Sequence, residues 1–202
     1  MPRLQSHIFF VFASRMYSIF LTILGLALSV HAQYDVPGDC QNFVTGVKAG
    51  FDIAQYSGRW FDQERYPLGD NSKCITSTYS EPTPGTMQLR TANIDINTGA
   101  LSYMTLSGPF DTPGSGEAKF TLDGTALTLP YWVLDTDYVS WALVWSCTQE
   151  TPGQTKQRAW ILTKTRVADP NALSTARSVA AANGLNEAWE TVDQTTCPLG
   201  FF

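Results

Sequence analysis

From Leu68 onward, clusters of turn-forming residues recur about every 8–12 residues, and that rhythm limits the chain to short antiparallel strands. Leu68-Gly69-Asp70-Asn71-Ser72, Pro82-Thr83-Pro84-Gly85, Asn97-Thr98-Gly99 and the Gly- and Pro-rich stretch Gly108 to Gly116 are the punctuation. The segments between them predict strands at Cys74 to Tyr79, Thr86 to Ile96, Ala100 to Ser107, Glu117 to Leu122, Ala126 to Leu134, Val139 to Cys147 and Lys156 to Thr165. With a first strand starting at Trp60 they make eight, the pattern of an all-β barrel or sandwich. Cys40 to Phe51 has no clear periodicity, which suits an arm crossing the end of a barrel.

One helix is expected, and only after the last strand. Asp169 can accept the first free amides as N-cap, Pro170 suits the first helical position and Gly184 is placed just past the end. Leu173, Ala176 and Ala180 fall near one face and Asn171 and Arg177 away from it, a weak apolar stripe for the outside of a barrel. The tail from Trp189 to Phe202 carries Cys197 and is expected to fold back under a disulfide.

Residues 1–32 read as a secretory signal, with an apolar core from Ile19 to Leu28 and a small-residue cleavage pattern at Val30-His31-Ala32. Met16 also opens a complete signal by itself. The apolar run is too short to span a bilayer, so the expectation is a secreted, extracellular protein without a transmembrane segment, with 33–202 as one domain. Cleavage removes Arg3 and Arg15, leaving 11 of 13 basic residues against 18 acidic ones, a net charge of −7 that argues against nucleic acid. Both histidines, His7 and His31, go with the signal, which removes histidine-based triads and histidine-ligated zinc or haem. Cys40, Cys74, Cys147 and Cys197 stay, and in a secreted chain they read as two disulfides with three pairings open.

Ser57-Gly58-Arg59-Trp60-Phe61-Asp62-Gln63-Glu64-Arg65 starts with a turn and runs on as a strand whose first large residue, Trp60, suits a ring plugging a barrel end. Period-two alternation puts Trp60, Asp62 and Glu64 on one face, with Phe61 and Gln63 on the other. This run resembles the Gly-X-Trp motif of the lipocalins. Thr136-Asp137-Tyr138, running into Trp141 to Cys147, is similar to their second motif, and Arg158 to Lys164 to their third. All three stand in family order with the helix after the third. The likeness is strongest to apolipoprotein D and its arthropod relatives of the bilin-binding, insecticyanin, Lazarillo and crustacyanin types. It implies an eight-stranded antiparallel up-and-down barrel with one C-terminal helix outside, and the bridges Cys40–Cys147 and Cys74–Cys197. One departure is Lys164, where the family usually has an Arg stacked on the Gly-X-Trp indole. Lys164 can still make a cation–π contact with Trp60, and Arg166 is a second candidate for that place.

The resemblance also places Trp160 and Tyr79 on the wall of a ligand cavity, with Thr91 at a further lining position. Alternation turns Arg158, Leu162 and Lys164 inward with Trp160, and Ile75 and Ser77 with Tyr79. Asp62 and Glu64 are both expected inside, one of them satisfied by Arg158 or Lys164, since buried charges need partners. No second catalytic group accompanies them, so the reading is not an enzyme. The expected function is carriage of a small hydrophobic molecule, a bilin, carotenoid, retinoid, sterol or fatty acid, with no required cofactor or metal. The competing reading is an extracellular interaction or protective protein that meets a receptor, a protease or a second copy. A third is scavenging of oxidised lipid by Met87, Met104 or a cysteine.

Overall fold

The computed structural model describes residues 34–42, 46–112 and 114–198. The expected signal sequence and its cleavage site, residues 1–32, lie outside the described residues. Among the described residues there are ten strands: β1 (Tyr34–Pro37), β2 (Gly58–Arg65), β3 (Ser72–Thr83), β4 (Thr86–Asp95), β5 (Leu101–Pro109), β6 (Glu117–Leu122), β7 (Thr128–Thr136), β8 (Trp141–Thr151), β9 (Gln154–Thr163) and β10 (Glu190–Thr191). From β2 to β9 each strand pairs antiparallel with the next, and β9 returns to β2, closing an eight-stranded up-and-down barrel. The two short strands lie outside that ring, β1 on β9 and β10 on β2.

A single turn of helix, α1 (Ile53–Tyr56), precedes β2, capped by Asp52, whose Oδ1 accepts from the amides of Ala54 (2.9 Å) and Gln55 (3.2 Å). Gly58 then takes φ +97°, a conformation a β-carbon would strain, and the chain swings into β2. That turn drops Trp60 into the closed end. The ring is wholly buried, its Nε1 donates to the Tyr56 carbonyl at 2.8 Å, and the Lys164 ammonium sits 4.1 Å from its centroid. Lys164 also donates to the carbonyls of Tyr56 (3.2 Å) and Ser57 (2.9 Å), and burial pulls its ammonium pKa below the ordinary value. Lys164 therefore fills the place of the family's Arg. Arg166 instead lies 4.8 Å from the Phe61 ring on the outer face and donates to Gln194.

The second motif is a tight turn between β7 and β8. Asp137 Oδ1 accepts from the amides of Val139, Ser140 and Trp141, which holds its carboxyl below the usual range against the cost of burial. Tyr138, at φ +65°, accepts a hydrogen bond from the Asp52 amide on its hydroxyl, tying this turn to the α1 cap.

Helix α2 (Pro170–Ala182) starts at the Asp169 cap and packs on the outer faces of β8 and β9. Ala172, Ala176 and Ala180 are its buried positions and Leu173 is half-buried, so the apolar stripe is the alanine row. Small side chains there bring the helix close to Trp145, Leu143 and Ile161. Disulfides join Cys40 to Cys147 and Cys74 to Cys197.

The phase expected for β2 holds only as far as Asp62. Asp62 pairs with Leu162 and Glu64 with Ile161, so Gln63 is an extra residue in a β-bulge that exchanges inside and outside for Glu64 and Arg65. Glu64 consequently points out of the barrel, where its carboxylate accepts from Arg177 of α2 at Nε (2.7 Å) and Nη2. Its side chain is 4% exposed against 57% for Arg177. Arg177 lies off the buried face of the helix, as expected, and its long side chain reaches back to the barrel. Arg65 takes the inward place that alternation gave to Glu64.

The bulge frees backbone groups, and the C-terminal tail satisfies them. Buried Gln194 donates from Nε2 to the carbonyls of Asp62 (2.9 Å) and Ile75 (2.7 Å), spanning β2 and β3 where their own ladder has stopped at Phe61 and Thr76. Val192 donates its amide to the Gln63 carbonyl at 2.9 Å.

Candidate functional site: the barrel cavity

The inward faces of the strands leave a cavity of about 270 Å³. Tyr79, Tyr131, Phe120, Leu89, Leu106 and Leu162 line its deep part, above the plug of Tyr56 and Trp60. Trp160 stands midway up one wall, its ring centroid 6.3 Å from that of Tyr131. Towards the other end the lining becomes polar, with Arg65, Asp70, Ser72, Asn93, Ser146 and Arg158.

Trp160, Tyr79, Thr91, Asp62 and Arg158 all lie in the cavity wall, as do Ile75, Ser77 and Leu162. Glu64 is not among them, because of the bulge. Nor does Arg158 or Lys164 satisfy a carboxylate: Asp62 Oδ1 accepts from Ser77 Oγ at 2.9 Å, and Glu64 is held by Arg177. Met104 lines the cavity while Met87 is buried in the closed-end core, and all four cysteines are in disulfides, leaving no thiol for a scavenging role.

Burial dominates the electrostatics. It pushes the Asp62 carboxyl up to about 7, against the opposing pull of the Ser77 hydrogen bond and the Arg65 charge. The hydroxyls of Tyr79 and Tyr131 hydrogen-bond to each other, and burial carries both phenols well above their ordinary range. Both phenols therefore stay protonated near neutral pH, where the Asp62 carboxyl changes its charge. A carboxyl that binds its proton more tightly folded than unfolded favours the fold at low pH. That contribution is present near pH 4 and is lost as pH rises towards 7. Urea midpoints of the wild type should therefore fall relative to Asp62→Asn between pH 4 and pH 8. Parallel pH profiles for the two proteins would show that Asp62 is not desolvated as described.

Two cavity residues escape a reading by alternation alone. Arg65 enters through the bulge, and its guanidinium is taken up by Asp70 and Glu190. Ser146 directly follows the apolar run Trp141 to Trp145 of β8, in which neither face looks polar. A signal for it exists: Cys147 bridges to the arm outside, so its neighbour must point in.

A barrel plugged at one end by a buried Trp and holding an aromatic cup above it defines a small, closed, cup-forming class of β-protein. The Lipocalin / cytosolic fatty-acid binding protein family model matches residues 53–194, and the chain belongs to that family. Apolipoprotein D of Oryctolagus cuniculus is 30% identical over 157 residues, covering 75% of this chain and 82% of that protein. Insecticyanin from the tobacco hornworm Manduca sexta superposes with a TM-score of 0.66 at 22% identity, over 80% of this chain and 89% of that one. The amine-binding protein of Rhodnius prolixus, solved as its tryptamine complex, gives a TM-score of 0.58 at 19% identity over 74% and 84% of the two chains. Both structural likenesses speak for the fold alone. Among the described residues no helix is long and apolar enough to cross a membrane, and no group of three acidic, His or Cys side chains is placed to hold a metal.

Proposed function

We propose that this lipocalin is a secreted carrier that holds one small hydrophobic molecule in the barrel cavity and does no chemistry on it. The observation that carries the reading is the cavity itself: a closed floor, aromatic walls at Trp160, Tyr131, Phe120 and Tyr79, and polar groups gathered towards one end. Its size, about 270 Å³, stands at the small end of ligand sites, which run from roughly 300 Å³ upward, and favours a retinoid, sterol or fatty acid over a tetrapyrrole. The apolar run Ile19 to Leu28 and the two disulfides support export to an oxidising compartment.

The test is fluorescence titration with retinoic acid, biliverdin, a carotenoid and arachidonic acid. At least one should quench tryptophan emission saturably at one molecule per chain. Trp160→Ala should weaken that ligand about tenfold, the equivalent of stacking worth roughly 0.5–1.5 kcal/mol plus the lost apolar contact. It should do so without unfolding the barrel, because a wall residue beside a void loses less packing than a plug. If no ligand quenches and Trp160→Ala collapses the fold, the cavity is a loosely drawn core and the carrier reading fails.

A second reading, an interaction protein, has one observation in its favour. Ile96, Leu101, Tyr103 and Leu127 are large, apolar and exposed on or beside the loops joining β4 to β5 and β6 to β7. Failure of the titration would move the function to that rim.

A further inference from the structure

Two arginines line the cavity, and they differ in what surrounds them. Arg65 is saturated by Asp70 and Glu190. The Nη1 of Arg158 is shielded from solvent and has no hydrogen-bond partner among the described residues. Directly opposite it in the β8–β9 ladder stands Ser146, 3% exposed, whose Oγ is likewise buried and unpartnered. Both side chains face the cavity, and these two atoms do not bond to each other. Two adjacent buried donors, one of them cationic, carry a desolvation cost that only an acceptor removes, and an anionic oxygen pair removes it best.

Building on the carrier reading, we propose that the Ser146–Arg158 pair is the head-group site for a carboxylate, so that the physiological ligand is an apolar acid. One carboxylate oxygen accepts from Arg158 Nη1 and the other from Ser146 Oγ. The apolar body then runs past Trp160 to Tyr131 and Phe120. The charges set the orientation. Arg158 lies two residues further from the plug than Trp160 on β9, whereas Asp62, deeper in the cavity, is itself an acid and disfavours an anion on the floor. Asp70, the other acid in the lining, is already paired with Arg65.

Calorimetric titration of the full mature protein with dodecanoic acid, dodecanol and dodecylamine at pH 8 tests this. The acid should bind at least about tenfold tighter than the alcohol, the fold-change of one charge-assisted hydrogen bond. The preference should fall to near one in Arg158→Gln, return in part in Arg158→Lys, and shrink several-fold in Ser146→Ala. Equal binding of acid and alcohol by the wild type, or an unchanged preference in Arg158→Gln, overturns the head-group site while leaving the carrier reading intact. Tightest binding by the amine overturns it too, and gives the selectivity to Asp62. Binding of none of the three overturns the head-group site, while the carrier reading stands or falls with the fluorescence panel. If Arg158→Gln proves misfolded by near-ultraviolet dichroism, Ser146→Ala decides, and an undiminished preference there overturns the proposal.

Discussion

Trp60→Ala should cost about 3–5 kcal/mol of unfolding free energy, the range for removing a fully buried aromatic ring. The indole is the floor of the barrel: its centroid lies 5.0 Å from that of Tyr56, it carries the Lys164 ammonium, and it anchors α1 through its Nε1 bond to the Tyr56 carbonyl. Truncation leaves a void that neighbouring strands cannot close without breaking the β2–β3 ladder. Lys164→Ala should cost less, since it removes a cation–π contact worth about 0.5–2 kcal/mol and two bonds to carbonyls that the shortened site opens to water. Urea denaturation followed by tryptophan emission measures both. A wild-type midpoint for Trp60→Ala would mean that the ring does not plug the barrel.

Replacing both Cys74 and Cys197 with serine should cost about 4–5 kcal/mol, from the entropy returned to an unfolded chain freed of so long a loop. The two residues are 123 apart in sequence. The bridge has a local task as well, because it holds the tail whose Gln194 caps the carbonyls of Asp62 and Ile75 beside the bulge. Loss of the tail would leave those carbonyls unpaired in the wall of the cavity. The double variant should therefore exchange the amides around Gln63 and Thr76 with deuterium faster than those of β7 and β8. Gln194→Ala with the disulfide intact should reproduce the exchange pattern at about 1–2 kcal/mol. Uniform acceleration across the barrel would show that the bridge acts only through the unfolded chain.

Much of this architecture is readable from the sequence, and the parts that are not share one cause. Turn chemistry marks every hairpin from Leu68 to Gly153, since Gly, Pro, Asn and Asp leave a local mark at each reversal. The helix is equally local, with Asp169, Pro170 and Gly184 as its signals. On β3 and β9 the resemblance places Tyr79 and Trp160 on the cavity wall, and alternation then turns Ser77 and Arg158 inward with them. Glu64 breaks the pattern because Asp62-Gln63-Glu64-Arg65 contains no Gly or Pro to announce a bulge. The bulge is set by how β2 must meet β9 on one side and the tail on the other, a tertiary matter. The same holds for β1 and β10, which exist only because a neighbouring edge accepts them, and for α1, whose four residues are too few for a periodic signal. Arg65 is hidden behind the bulge, and Ser146 because the apolar run before it on β8 marks neither face as the inner one.

Whether the barrel is a cup for one molecule is decided by a crystal structure of the protein saturated with the panel ligand that quenches most strongly. One continuous ligand is expected inside the barrel, lying against Trp160 and Tyr131 with its polar end towards Arg158 and Ser146. Ligand bound only at the rim formed by Ile96, Leu101 and Leu127, with the interior filled by the protein's own side chains, would contradict it.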